Sequence, residues 1–362
     1  MVKKKSKKRL IIVLLSICIC IVLILGFWYF NSMMDKPLGP SLKGNLTKQP
    51  NSSLLNLPGQ KQTPGQESTL SQLPAKNQAK QLPPLCGQTP VLTVLLAGID
   101  YRPDNYLYGL ADVIKIVRID FTTHEVSVLT LDRAIWVEIP GISDHYGITH
   151  GNLNQAFFYG VPAMGYYNGP GGGAGLLAAT LKQNFNLDVD NYVVVDMATF
   201  VKFVDALGGI DVNLPQPVDG TPALPFFNAG KQHLTGAQAL ALARIREKYS
   251  TLIRDRNQNT VINGIFAKLS SPEIIAKIPA LLKAFTNAGL TDLSTRQIET
   301  MACLLTKMGG NDLTFREIPD KYYIYAWIYD QDMHQDINIW KVDFDIFRSY
   351  ISSFMNGQWP QQ

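Results

Sequence analysis

The sequence predicts an α/β fold, a layered α-β-α sandwich around a central mixed sheet, preceded by one transmembrane helix and a disordered linker. Three observations carry this. Residues 91–99 (VLTVLLAGI) are a continuous apolar run, as in a central strand covered on both faces. Two β-rich runs follow at 113–119 and 126–131, joined by a polar turn at 120–125, which is hairpin spacing. Further on, strand-like and helix-like runs alternate, and such a pattern is satisfied by a sheet with helices packed on it.

Taken in order, residues 1–9 hold six Lys/Arg and no acid, a basic tail expected in the cytoplasm. Residues 10–30 are 21 residues without a charge. A helix of that length spans roughly 30 Å, enough to cross a bilayer. No small-x-small site follows and Trp28 and Tyr29 close the run, so an uncleaved signal anchor is expected rather than a removed leader. Everything after it would then lie outside the cell membrane, where cytosolic ATP is absent. Cys18 and Cys20 fall inside this span and read as small packing residues. Residues 31–85 are rich in Pro, Gln, Asn, Ser and Lys and contain no aromatic residue. Such a segment buries too little apolar surface to offset its ordering entropy, so it reads as a flexible extracytoplasmic linker.

The folded part is expected from Cys86 to Trp359, with a core at 86–262 and a mostly helical remainder of the same domain at 263–362. Residues 192–195 read as a short buried strand. Phe200 to Leu207 has helical spacing and stops at Gly208-Gly209, a C-cap pair. Ile210 to Leu214 returns as a strand ending at Pro215. Thr235-Gly236-Ala237-Gln238 fits a capping box opening a helix over 239–243. A late β-like stretch lies at 322–329 and a terminal helix at 344–354.

The formal charge of +4 comes from the tail: without its six basic residues, 27 Lys+Arg stand against 29 Asp+Glu. A nearly neutral exported part carries no global footprint for nucleic acid. Cys86 and Cys303 could pair in an oxidising compartment or remain two thiols.

Three places concentrate chemistry. Asp100 and Arg102 emerge at the end of the first apolar strand, where ligand sites of open α/β sheets gather. Asp112 opens the next strand and Arg133 ends the one after; by period-two counting Arg133 shares a face with Leu129 and Leu131, and a bridge to Asp100 or Asp112 would satisfy it. The third is Arg244-Ile245-Arg246 followed by Arg254 and Gln258. Arg254 and Gln258 are four apart on one helix face, which continues apolar through Val261, Ile262 and Ile265. Arg244 and Arg246 reach one ligand only if the chain between them is extended. Several guanidiniums in a near-neutral domain suggest phosphate or pyrophosphate recognition. The glycine run 169–175 lacks the Lys-Ser/Thr of a phosphate loop and reads as a flexible loop. The five His show no metal-ligand spacing, and no Gly-x-Ser-x-Gly elbow is present.

In order and spacing, VLLAGIDYR (94–102), VSVLTLDRAIWVEIPG (126–141), NLNQAF (152–157), DNYVVVDMATFVKFVDALGGIDVNLP (190–215), HLTGAQALALARIR (233–246) and RNQNTVI (256–262) resemble the LytR–CpsA–Psr family of bacterial envelope proteins. The resemblance implies transfer of a glycopolymer, of teichoic acid or capsule type, from a polyprenyl-pyrophosphate carrier onto a peptidoglycan hydroxyl, releasing polyprenyl phosphate. By the same resemblance Asp100 and Asp112 would hold Mg²⁺. Arg102, Arg133, Arg244, Arg246, Arg254 and Gln258 would surround the pyrophosphate. Asp100, Arg133, Arg244 and Arg246 would carry the catalysis, and an apolar groove between sheet and helices would take the prenyl tail. The chain departs from the family pattern at four places. Leu110-Ala111-Asp112 stands for Arg-Ser-Asp, Asp132-Arg133-Ala134 for Pro-Arg-Asp, Thr251 for an acid and Asn257 for an Arg. A polyprenyl-phosphate binder without turnover, or a lipid pyrophosphatase, would use the same residues; dependence on an acceptor separates these readings.

Overall fold

The computed structural model describes residues 31–43, 90–101, 109–142, 147–220, 224–245, 251–275, 291–308, 313–330 and 334–360, with isolated positions between them. Of the expected membrane span, Gly26, Trp28 and Tyr29 are described, and no helix among the described residues is long and apolar enough to cross a membrane.

In chain order the strands are β1 (Val91–Ile99), β2 (Ala111–Asp120), β3 (Glu125–Thr130), β4 (Trp136–Glu138) and β5 (His150–Asn152). Two helices come after them, α1 (Leu153–Tyr159) and α2 (Gly172–Phe185). Next are β6 (Asn191–Asp196), α3 (Met197–Ala206), β7 (Ile210–Leu214), β8 (Gly230–Leu234) and α4 (Gly236–Arg244). The remainder is α5 (Thr251–Leu269), the single turn α6 (Pro272–Ile275), α7 (Thr295–Leu305), β9 (Leu313–Glu317), β10 (Tyr323–Asp330), β11 (Gln335–Val342) and α8 (Phe344–Met355).

The central sheet runs β6-β1-β2-β3-β9. It is mixed, as expected: β1 is parallel to β6 and β3 to β9, whereas the β1–β2 and β2–β3 pairs are antiparallel. Alternation along β1 sorts its side chains. Leu95 and Ala97 join one core with Ile114 and Ile116 of β2, under α1, α2 and α8. Leu92 and Val94 face the opposite way, toward a second core with Leu293, Ile298 and Leu304. A third cluster, built on Val204, Ile210, Val212, Leu234, Leu242 and Val261, ties the β7–β8 ribbon to α3, α4 and α5. The layers are thus helix, sheet, helix.

Several expectations are corrected. After residue 262 the described residues hold three strands besides their helices. β9 extends the main sheet beside β3, and β10 pairs with β11 as a separate hairpin. The β9 segment reads LTFRE, too short and polar to announce itself, and all five residues are only partly buried. The glycine run is no flexible loop. Gly171 starts α2, and its glycines allow close backbone approach: a Cβ on Gly173 would meet the Phe157 carbonyl oxygen at 2.8 Å, and one on Gly175 the Pro170 carbonyl oxygen at 1.7 Å. α3 begins three residues earlier than its spacing suggests, because Asp196 caps it by accepting from Thr199 N–H at 2.7 Å. The capping box at Thr235 and Gln238 is present.

The expected linker is docked over its first part. Tyr192 Oη donates to the Pro40 carbonyl at 2.8 Å, Leu42 N–H donates to Asp292 Oδ2 at 3.1 Å, and Arg296 pairs with Asp35. Leu38 packs with the second core. Residues 44–85 lie outside the described residues. Cys86 and Cys303, for which the sequence allows either state, are joined in a disulfide with Cα atoms 6.2 Å apart.

Candidate active site

The end of β1 is irregular: the register with β2 shifts between Gly98 and Ile99, so that Ile99 faces Ala111. A bulge at a strand end re-aims the next side chains. Asp100 is the first of them. It is held by its own backbone N–H donating to the Leu110 carbonyl and by its Oδ1 accepting from Leu110 N–H at 2.6 Å. Leu110 therefore serves through its main chain, whatever its side chain. Asp112 lies nearby on β2. Its Oδ1 accepts from Arg133 Nη1 and, at 3.3 Å, from Asn154 Nδ2. Arg133 sits in the turn after β3 rather than on the strand, and its partner is Asp112, one of the two carboxylates anticipated for it. Asp132 is buried and turned away, its Oδ1 accepting from Ala134 N–H at 2.8 Å.

α4 ends at Arg244, and Ile245 is extended at φ −61° and ψ 129°, as the spacing of the two arginines requires. Ile245 is fully buried and pins the break. α5 then brings Arg254 and Gln258 inward, both buried. Arg254 Nε has no hydrogen-bond partner among the described residues, and neither has Asn257 Nδ2. A buried donor without an acceptor is costly unless a ligand oxygen satisfies it.

These residues converge. Asp100, Asp112, Arg133, Arg244, Arg254 and Gln258 line one cavity of about 850 Å³. They grade from a buried floor, Arg254 and Gln258, through half-buried Asp100, Asp112 and Arg133, to Arg244 on the exposed rim. Behind them the same cavity is apolar. It runs between the sheet face (Leu96, Val113, Val117, Val193) and α3, α4, α5 and α7, touching Phe200, Phe203, Leu240, Val261, Ile262, Ile265, Phe266, Ile298, Met301 and Leu305. Leu38 of the docked lead-in also lines it. Arg102 and Arg246 lie outside the described residues, as does the side chain of Thr251. A cationic mouth on a greasy tunnel suits one kind of ligand, a phosphorylated head on a long hydrocarbon tail.

Beneath the mouth lies a buried polar cluster that sequence reasoning does not find. Lys115, inside the β2 run, is fully buried; its Nζ donates to Thr130 Oγ1 and Asn259 Oδ1, both at 2.8 Å. Asn259 Nδ2 donates in turn to Glu317 Oε1 at 2.8 Å, linking α5 to β9. Burial lowers the Lys115 pKa to about 8, with Asp255 and Glu317 pulling it back and Arg254 pushing it further down. Burial raises Asp255 to about 6, opposed by Lys115 and Arg254 and reinforced by Asp132 and Glu317. Burial, Asp132 and Asp255 together also push the Tyr323 hydroxyl well up. A Lys at mid-strand in an apolar run is the available signal. This chain has an amide at Asn257 and a cation at Lys115, close enough to Arg254 to act on the same ionic balance.

The LytR_cpsA_psr family profile matches residues 60–343. TagU of Oceanobacillus iheyensis, named a polyisoprenyl-teichoic acid–peptidoglycan teichoic acid transferase, is 29% identical over 255 residues, covering 69% of this chain and 74% of its own. TagV of Bacillus subtilis, named for the same activity, is 27% identical over 194 residues, covering 51% of this chain and 46% of its own. The crystal structure of B. subtilis TagV superposes with a TM-score of 0.56 at 19% identity, over 75% of this chain and 100% of that one. Protein gbs0355 of Streptococcus agalactiae gives 0.58 at 18% identity, over 75% and 90%. At those identities the two structures speak for the fold alone. The profile, spanning most of the folded residues, speaks for descent: this chain belongs to the LytR_cpsA_psr family.

Proposed function

We propose that this protein is a glycopolymer–peptidoglycan phosphotransferase, taking a teichoic-acid-type or capsule-type polymer from a polyprenyl-pyrophosphate carrier. The single observation that carries the reading is the cavity with an arginine-lined mouth and an apolar interior. The relatives named as polyisoprenyl-teichoic acid–peptidoglycan transferases agree with it.

In this reading an acceptor sugar hydroxyl attacks the phosphorus that bears the polymer. A new P–O bond forms to the acceptor, the bridging P–O bond breaks, and polyprenyl phosphate and the hydroxyl proton leave. Phosphoryl transfer asks the protein mainly for positioning and charge neutralisation. Arg254, whose buried Nε lacks a partner among the described residues, and Gln258 would hold the pyrophosphate from below. Arg133 and Arg244 would close on it from the rim, joined by Arg102 and Arg246 from outside the described residues. The hydrocarbon tail would lie along Val261, Ile262 and Ile265.

Asp100 and Asp112 line the same mouth. Two carboxylates beside phosphate oxygens fit Mg²⁺, which is commonly held by one or two carboxylates plus substrate and water. No group of three or more His, Cys, Asp or Glu that could hold a metal without substrate occurs among the described residues. The ion would neutralise charge developing on the pyrophosphate. Asn154 and Arg133, both bonded to Asp112, fix that carboxylate's orientation. Residues 10–30 would anchor the chain in the cell membrane with residues 1–9 in the cytoplasm, and the Cys86–Cys303 disulfide suits the oxidising outer side.

The test is release of polyprenyl phosphate by the full chain, measured with and without Mg²⁺ and with and without peptidoglycan. Arg244→Ala and Arg254→Ala are expected to lower turnover on the order of 100-fold or more, with the circular dichroism spectrum unchanged. Full activity in either variant would overturn the assignment. Release without any acceptor requirement would favour the pyrophosphatase, and binding without release the non-catalytic binder.

A further inference from the structure

The β10–β11 hairpin displays aromatic side chains that the fold leaves uncovered. Tyr325 faces Trp340 across the ladder, Trp327 faces Asn338 and Tyr329 faces Asp336, so these six share one face of the ribbon. Tyr325, Trp327 and Tyr329 are 55%, 61% and 56% exposed. The row is rooted in the core: Tyr323 stands edge-on to Phe347 at 5.2 Å and to Trp340 at 6.0 Å. It continues from Trp340 to Tyr325 at 5.6 Å and from Tyr325 to Trp327 at 6.2 Å, again edge to face. Tyr325 Oη donates to Asn338 Oδ1 across the strands. Contiguous exposed apolar surface on a stiff ribbon marks a binding face.

Position and charge say what binds. β11 is stitched to the residue after Arg133, its Trp340 N–H donating to the Ala134 carbonyl at 2.9 Å. Asp330 accepts from Gln155 Nε2 at 3.1 Å, on the helix whose Asn154 holds Asp112. The ribbon is therefore tied at its Trp340 end and at its Asp330 end to segments that flank the cationic mouth, and the aromatic row runs between these two ties. Residues 323–342 carry Asp330, Asp332 and Asp336 against the single Lys341. A net acidic ribbon repels a polyphosphate chain and an anionic bilayer alike, but not an uncharged glycan. Flat rings accept the C–H faces of sugars, while Asn338 and Asp336 alongside can bond hydroxyls and acetamido groups.

We propose that this face is the platform for the acceptor: a strand of N-acetylated amino sugars laid along Trp340, Tyr325 and Trp327, which brings one hydroxyl to the mouth. The proposal rests on the transfer reading, and its test separates the two. The full chain in mild detergent is incubated with insoluble peptidoglycan strands stripped of teichoic acid, and the bound fraction is measured for Trp327→Ala, Tyr325→Ala and the conservative Trp327→Tyr. Polyprenyl phosphate binding is measured on the same proteins. Each Ala variant should weaken glycan binding at least 10-fold and raise the half-saturating acceptor concentration similarly. Trp327→Tyr should retain most binding, and polyprenyl phosphate binding should not change. Unchanged glycan binding in Trp327→Ala overturns the platform. So does a Trp327-dependent affinity for soluble teichoic polymer or for phosphatidylglycerol vesicles in place of the glycan. If glycan binding depends on Trp327 but the cavity takes no polyprenyl phosphate, the transfer reading fails and the platform stands.

Discussion

Replacing Lys115 by Met isolates the energetics of the ionic cluster under the site. The two side chains are close in volume, so the change removes charge and two hydrogen bonds more than packing. In the unfolded chain the ammonium keeps its ordinary pKa of 10.5; in the fold, burial holds it at about 8. Below pH 8 both states are protonated and the full cost of burying the cation applies, about 3 kcal/mol. As pH rises from 8 to 10.5 the unfolded state binds more protons than the folded one, so stability rises; above 10.5 the term is gone. The contribution is about 3 kcal/mol at pH 8 and about 1 kcal/mol at pH 10. Met carries no such term, but it leaves Thr130 Oγ1 and Asn259 Oδ1 each one partner short, at about 1 kcal/mol apiece. The level of stability at neutral pH therefore changes little, and the slope changes most. The stability of the variant minus that of the wild type should fall by about 2 kcal/mol between pH 8 and pH 10. Urea unfolding of both proteins through that window measures this, and the subtraction cancels tyrosines common to both. Asp255, raised to about 6 in the wild type, goes higher once Lys115 no longer opposes the rise, and a carboxyl raised in the fold loses stability as pH rises, so its effect has the same sign as the Lys115 effect. A flat difference would mean that Lys115 is not a buried amine and that the cluster is misread.

Two further changes probe the cavity and the disulfide. Ile262→Trp adds volume on the tunnel wall, and should weaken binding of a long-chain polyprenyl phosphate at least 10-fold while leaving inorganic pyrophosphate binding at the mouth unaltered; equal effects on both ligands would show that the tail lies elsewhere. Cys303→Ser opens a crosslink between residues 217 apart in sequence, worth up to about 5 kcal/mol by loop-closure entropy. The urea midpoint should drop in this variant and become insensitive to reductant, whereas a wild type equally insensitive to reductant would refute the stabilising role.

Three strands of the main sheet and β7 of the side ribbon are legible in the sequence because they are runs or alternations of apolar, mostly β-branched residues. Residues 91–99 and 210–214 occupy strands with the anticipated ends, and 113–119 and 126–131 differ by one or two residues. The residues proposed to hold the pyrophosphate are legible from chemistry that neutral surfaces do not need: arginines on an interrupted helix with an apolar continuation. The features that escape depend on long-range contacts. β9 has no strand pattern and forms because β3 offers it an edge. β11 alternates Ile337 and Ile339 with Asp336 and Asn338, a signal hidden by its polar start. The glycine run looks loose, because the sequence cannot reveal the carbonyl of Pro170 standing where a side chain would go. Lys115 reads as a mere interruption of an apolar run, since its partners lie 15 and 144 residues away.

The stretch from Asp35 to Leu42 has a practical bearing on how this protein is made and assayed. A soluble fragment started at Cys86, where the compositional break invites a cut, would keep every strand of the sheet yet lose the contacts to Arg296, Tyr192 and Asp292. It would also lose Leu38 from the lining of the tunnel. Such a fragment has a thinner apolar lining beside Leu293 and Ile298, and affinities for lipid donors measured on it describe a leakier vessel than the intact chain.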